Sequence, residues 1–239
     1  MQDPTQIYAE SERLARESGG HFMDQFTYAE RATDWRANNN IAESIFQQLR
    51  FERYPEPAWL ISSPGTGGTT ATLGRYVRYR QHQTRVLCAD AERSVFFDYY
   101  NSGDASLRLD CGSRIEGIGR PRVEASFLPQ VIDAMVKVPD ALSLAAMHYL
   151  ARRLGRRVGG SSGTNLVGAL MAAQQMAAAG EAGSIVAILC DGGERYATTY
   201  YDERWLAEQG YELAELNEAV AAGVEQGAAL PASVLRAGI

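Results

Sequence analysis

Apolar and polar positions along the 239 residues fall into blocks of two kinds. Short apolar runs, "AWLIS" (58–62), "TRVLCAD" (84–90), "AMVKV" (134–138) and "SIVAILC" (184–190), have the length and composition of strands buried on both faces. Between them lie longer segments with helical spacing. Residues 5–18 place Ile7, Leu14 and Ala15 at that spacing and stop at Gly19 and Gly20, the mark of a glycine-terminated helix. In "NNNIAESIFQQLRF" (38–51), Asn38 to Asn40 offer N-caps and Ile41, Ile45, Phe46 and Leu49 share a face. Leu73, Tyr76, Val77 and Arg80 repeat with the same period, and "DALSLAAMHYLARRLG" (140–155) and "TNLVGALMAAQQMAAAG" (164–180) predict two more helices. "HFMDQF" (21–26) reads as a short strand, and the glycine-punctuated "CGSRIEGIGRPRVEASFLP" (111–129) as irregular chain. Strand and helix in alternation predict an α/β fold: three layers, with a mainly parallel sheet covered by helices on both faces. Residues 226–239 read as a loosely ordered tail.

Composition narrows the function classes. A hydrophobic content of 46% fills a core of ordinary size, and a formal charge of −6 counts against a nucleic-acid partner, which needs a basic face. No apolar run approaches the roughly 18 residues of a membrane span, so no membrane partner is expected. Cys88, Cys111 and Cys190 are odd in number and lack metal-ligand spacing, which argues against a disulfide framework or zinc site and points to the cytoplasm. Of 23 basic residues only Lys137 is a lysine, so a mechanism needing a lysine amine has one candidate here.

Two loops carry candidate chemistry. "SSPGTGGTT" (62–70) joins a strand to a helix, where unpaired amides and the helix dipole favour an anion. A Walker A loop would need a lysine after its last glycine, but Thr69 and Thr70 follow Gly68; the dinucleotide fingerprint would need glycine where Thr70 stands. A phosphate monoester fits better: Gly65, Gly67 and Gly68 let the backbone curl around terminal oxygens, and Thr66 and Thr69 add hydroxyls. A plain glycine turn remains the alternative. "GGSSG" (159–163) satisfies the nucleophile-elbow pattern G-x-S-x-G, yet His21, His82 and His148 all precede Ser161, the reverse of the order a hydrolase triad needs. It reads equally as a helix N-cap. Asp191 and Glu194 could form an acid pair or simply belong to a turn.

Taken in order, "GTGGT", "IEGIG", "GGSSG" leading into "TNLVGAL", and "DGGERYATTYYDERW" resemble the pyridoxal-phosphate (PLP) enzymes of the cysteine synthase and cystathionine β-synthase family, over about Asp24 to Leu206. "HFMDQFTYAERATDWRANNNIAESIF" and "SRIEGIGRPRVE" resemble the actinobacterial L-cysteine desulfhydrases more than the synthases. The resemblance implies a fold like that of the tryptophan synthase β-subunit, with 1–33 a remnant of the small domain and 34–225 the large PLP-binding domain. It implies that Gly65, Thr66, Gly67, Gly68 and Thr69 cradle the PLP phosphate and that Ser161 hydrogen-bonds the pyridine nitrogen. Gln25 matches the glutamine beside the substrate carboxylate, and Gly117 with Gly119 the loop lining the substrate cavity. Cys190 and Gly192 depart from the proline and serine common there in the synthases. The lysine that carries PLP as a Schiff base is expected upstream of residue 1, since Lys137 matches no catalytic position. The activity implied is β-elimination of L-cysteine to hydrogen sulfide, pyruvate and ammonia by a homodimer; alternatives are cysteine synthesis from O-acetylserine and sulfide, or a non-catalytic PLP- or phosphate-binding fragment.

Overall fold

The computed structural model describes residues 6–230 and 236–238. Four parallel strands form the centre: β1 (Trp59–Ser62), β2 (Arg85–Ala91), β3 (Ala134–Val138) and β4 (Ile185–Ala187), with β5 (Arg236–Gly238) antiparallel at one edge. The spatial order is β4-β1-β2-β3-β5. Because helices cover both faces, β1 is buried at every position, which is why its sequence shows no polar alternation.

The period of two is still visible in what each strand residue touches. Ile61, Leu87, Ala89, Val136 and Val138 face a core shared with α6 (Asp140–Leu154), α7 (Gly160–Ala179) and α9 (Ala214–Gln226). Their neighbours Leu60 and Val86 face α3 (Ile41–Leu49) and α4 (Gly68–Arg80) through Ala42, Leu73, Tyr76 and Val77, while Cys88 and Met135 face α5 (Phe96–Ser102) through Phe96. This is the three-layer α/β sandwich that the sequence pattern predicts. A further apolar cluster, with Ala91, Ile115, Leu144, Val158, Tyr196 and Tyr200, lies past the carboxyl end of β2 and supports the loops there.

Three local expectations need correcting. Residues 21–26 do not form a strand: Asp24 turns left-handed at φ 41°, its carbonyl accepts the Thr27 and Tyr28 amides at 3.0 and 3.1 Å, and α2 (Gln25–Tyr28) results. Aspartate tolerates that conformation better than most residues, so the apolar run is overridden by one turn. Helix α7 begins at Gly160 rather than Thr164 and absorbs the whole serine segment. It can do so because α6 crosses close beside Gly163, where a side chain would overlap the Ser143 carbonyl. Finally, the tail expected to be loosely ordered contributes 236–238 to the sheet as β5, while 231–235 and 239 lie outside the described residues. Helix α1 (Gln6–Ser18) has no buried residue and is held to the body chiefly through Tyr8, whose hydroxyl donates to Glu124 at 3.0 Å and accepts from Arg120 at 2.6 Å.

Candidate functional site

At the carboxyl end of β1 the chain turns through Ser63, Pro64, Gly65, Thr66 and Gly67 into α4. The turn is walled by backbone on several sides. A side chain at Gly65 would overlap the Gly117 carbonyl; one at Gly67, where φ is +91°, would meet the Ser126 carbonyl and the Phe127 Cα at 2.8 Å. Glycine is therefore required twice, once by crowding and once also by backbone angle. The Ser126 hydroxyl donates to the Thr66 carbonyl, and the Gly68 amide donates to Thr66 Oγ1 at 3.2 Å. Among the described residues the amides of Thr66, Gly67, Thr69 and Thr70 have no acceptor. Several unpaired donors around one helix N-terminus form a pocket for a compact dianion, and no basic side chain within the loop is needed to complete it.

The same loop forms one wall of a cavity of about 420 Å³, which Gln25, Gly65, Thr66, Glu116, Gly117 and Gly119 also line. Gln25 arrives there because the turn at Asp24 starts α2 at this point. Gly119 donates its amide to the Pro64 carbonyl at 2.8 Å, tying the 117–119 segment to the 65–69 loop. Tyr200 fixes the other flank: its hydroxyl donates to the Arg114 carbonyl at 2.6 Å and accepts the Glu116 amide at 3.0 Å. Burial pushes the Tyr200 hydroxyl above its ordinary pKa, so it stays a donor. Glu116 pairs with Arg195.

Ser161 sits in the first turn of α7, 4% exposed, and is not part of that cavity wall. It is nevertheless tied to the loop. The Ser63 hydroxyl, two residues before Gly65, lies 2.6 Å from Asn165 Oδ1 and 3.4 Å from the Ser161 carbonyl. The Asn165 amide donates in turn to the Ile188 carbonyl at 2.8 Å, and the Ser162 hydroxyl accepts the Cys190 amide at 3.0 Å. Thus β1, α7 and the exit of β4 are joined by buried polar side chains around Ser161. Asn165 is fully buried and was missed as a site residue; its signal is an amide one helical turn after Ser161 and Ser162, on the face continued by Gly168 and Ala169. Asp191 is a second omission in role. Its carboxylate lies against Gly159, leaving no room there for a side chain, and accepts the Tyr196 hydroxyl at 2.6 Å. Asp191 therefore anchors the entry to α7, and burial with this hydrogen bond raises the Tyr196 pKa. Glu194, its suggested partner in an acid pair, instead lies beside Gly192.

The family model described as "Pyridoxal-phosphate dependent enzyme" matches residues 2–191. The chain belongs to this family. The geometry fits the cofactor the family uses: a cradle of free amides walled so that side chains cannot enter, and a buried serine helix joined to it by Ser63. Among curated relatives, this member of the pyridoxal-phosphate dependent enzymes is similar to L-cysteine desulfhydrase Cds1 of Mycobacterium tuberculosis, with 55% identity over 214 residues, 90% of this chain and 58% of that protein. It is similar also to cysteine synthase 2 of Schizosaccharomyces pombe, 29% identical over 204 residues, 80% of this chain and 49% of that protein. Among solved structures, a hydrogen sulfide-producing enzyme from Fusobacterium nucleatum superposes with a TM-score of 0.69 at 20% identity, over 88% of this chain and 58% of that one, which supports the fold. The chain thus spans about half the length of these relatives, from 49% to 58%.

Proposed function

We propose that these residues are the cofactor-holding part of a PLP-dependent lyase that converts L-cysteine and water to hydrogen sulfide, pyruvate and ammonia. The observation that carries this reading is the 55% identity to a desulfhydrase, sustained across 90% of the chain, against 29% to a cysteine synthase. Bound PLP supplies the electron sink that makes the Cα proton of an amino acid acidic and allows the Cβ–S bond to break. The residues at hand do the holding. The loop from Gly65 to Thr69 would take the phosphate at the start of α4, through its free amides at Thr66, Gly67 and Thr69. The Ser161 hydroxyl would meet the ring nitrogen; being neutral, it would hold no proton there as a carboxylate partner would, a setting that favours prompt loss of a leaving group. Gln25 orients the substrate carboxylate, and Gly117 and Gly119 keep the backbone wall of the substrate cavity free of side chains.

Lys137 is not the lysine this chemistry needs. It lies on β3, which β2 separates from the β1 exit, with its ammonium 2.6 Å from the Asp98 carboxylate. For the 239 residues alone, PLP is therefore expected to bind without a borohydride-reducible link to the chain. Activity is assayed on the protein containing these residues: sulfide released from cysteine alone supports the desulfhydrase, whereas cysteine formed from O-acetylserine and sulfide, with little release from cysteine, would give the reaction to a synthase. A cytoplasmic homodimer is the assembly we propose. Its support is the three free thiols, the family resemblance, and the finding that, among the described residues, no helix is long and apolar enough to cross a membrane.

A further inference from the structure

A second cavity, of about 430 Å³, lies beyond the carboxyl end of α6, lined by residues that play no part in the site described above. Arg152, Arg156 and Arg157 face it, all three exposed, and none forms an ion pair with a carboxylate among the described residues. The carbonyls at the end of α6 give Arg152 a partner field. Arg156 and Arg157 lie past the helix and have no such explanation. One carboxylate, Glu203, also lines the cavity, so the wall carries a surplus of two positive charges in a chain whose net charge is −6. The remaining wall is flat and apolar: Tyr201 stacks on His148 with ring centroids 5.2 Å apart, the Arg157 guanidinium lies 5.3 Å from the Tyr201 ring, and Leu206 and Ala151 complete it.

From this juxtaposition we infer that the cavity is an effector site for a small polyanion bearing a flat ring, the chemistry of a nucleotide. Guanidinium groups free of carboxylates are suited to phosphate oxygens, and an aromatic face beside them accepts a planar base. A volume of this size holds such a ligand. Its position gives occupancy a consequence. The Tyr201 hydroxyl donates to the Val158 carbonyl at 2.8 Å and accepts the Val158 amide at 3.0 Å, and Arg157 is bonded through its carbonyl to the Gly193 amide. A ligand on Arg156, Arg157 and Tyr201 thus grips the strap that enters α7 at Gly160, one residue before Ser161.

The test is isothermal titration of the chain, saturated with PLP so that the 65–69 cradle is occupied, with ADP, tripolyphosphate and adenosine as probes. Expected are saturable ADP binding near one per chain, weaker binding of tripolyphosphate, and at least a tenfold loss of ADP affinity in the R152E/R156E variant at an unchanged melting temperature. The R50E/R53E variant alters an exposed basic stretch elsewhere and should bind ADP as the parent does. Absence of saturable binding overturns the inference. So does equal weakening by both variants, which would make the effect bulk charge, or ADP binding that appears only when PLP is withheld. Because the readout is ADP binding and not turnover, a failed lyase assay leaves this result intact.

Discussion

Gly67 concentrates the constraints on the cradle, because its backbone sits at φ +91° with the Ser126 carbonyl and Phe127 Cα only 2.8 Å from where a Cβ would be. Gly67→Ala has to move either the loop or the 126–127 segment, at a cost of about 1–3 kcal/mol in stability. Since the displaced amides are those assigned to the phosphate, PLP affinity should fall at least tenfold; a cofactor titration monitored by absorbance, beside a thermal melt, reads both. Asp140 shows a different residue-scale effect. It is 2% exposed at the start of α6, and burial, with the nearby Glu92 charge, pushes its carboxyl up to about 6 from 3.8. Ionisation is thus disfavoured in the folded chain relative to the unfolded one. The penalty is absent below pH 4, grows between pH 4 and 6, and is complete above that range. Asp140→Asn should accordingly raise stability by about 1–3 kcal/mol at pH 8 and by almost nothing at pH 4. Urea melts of both proteins at the two values check the sign, and an equal gain at both would refute the electrostatic account.

At the scale of elements, the sheet and its large helices were legible because burial on both faces leaves an unmixed apolar run, and β3 and α6 begin where the pattern places them. Helix α2 and the first turn of α7 escaped for one cause, which is that tertiary contact and a single turn outweighed local propensity. "GGSSG" reads as a lead-in and cap to a helix, not as its first turn. Residues 160–163 become helical because glycine lets α7 lie directly against α6 and because Asn165 and Ser162 find partners on the exit of β4. The 65–69 loop, as a glycine turn from a strand into a helix, was legible from spacing alone, yet its enclosure by Gly117 and Ser126 was not, for those residues are distant in sequence. Asn165 marks the same boundary of inference. Its side chain connects Ser63 on the β1 exit with the Ile188 carbonyl. Asn165→Ala would leave the half-buried Ser63 hydroxyl only its longer contact to the Ser161 carbonyl and take from the Ile188 carbonyl its amide donor, costing about 1–3 kcal/mol. If Asn165 positions Ser161 and does more than stabilise the fold, PLP bound to the variant should also show a shifted absorbance maximum, a change that lower stability alone would not produce.

For the whole molecule, the unequal attachment of its parts decides what it can do as a unit. The sheet and α3 to α9, with α8 (Glu203–Glu208) seated through Leu206, are joined through apolar clusters, whereas α1 contributes no buried residue and leaves Ile7 at 66% and Leu14 at 50% exposure. Its connection runs through the Tyr8 hydroxyl, the Arg122 guanidinium 3.8 Å from the Tyr8 ring, and an edge contact to Phe26 at 5.8 Å. Those contacts reach Arg120, which lines the cavity beside the 65–69 loop, so the position of α1 and the mouth of that cavity share the same residues. A helix of 13 residues without an apolar seat is marginal in water. Hydrogen exchange on the 239-residue chain should therefore show α1 amides exchanging orders of magnitude faster than those of α7, while the sheet stays protected. Tyr8→Phe removes the charge-linked hydroxyl but keeps the ring, and is expected to speed exchange in α1 alone and to leave the melting temperature of the body within about 2 °C, since a contact worth about 0.5–1.5 kcal/mol lies outside its cooperative unit. Protection of α1 equal to that of α7 would show that the helix belongs to the core and that its exposed face is held by contacts other than Tyr8.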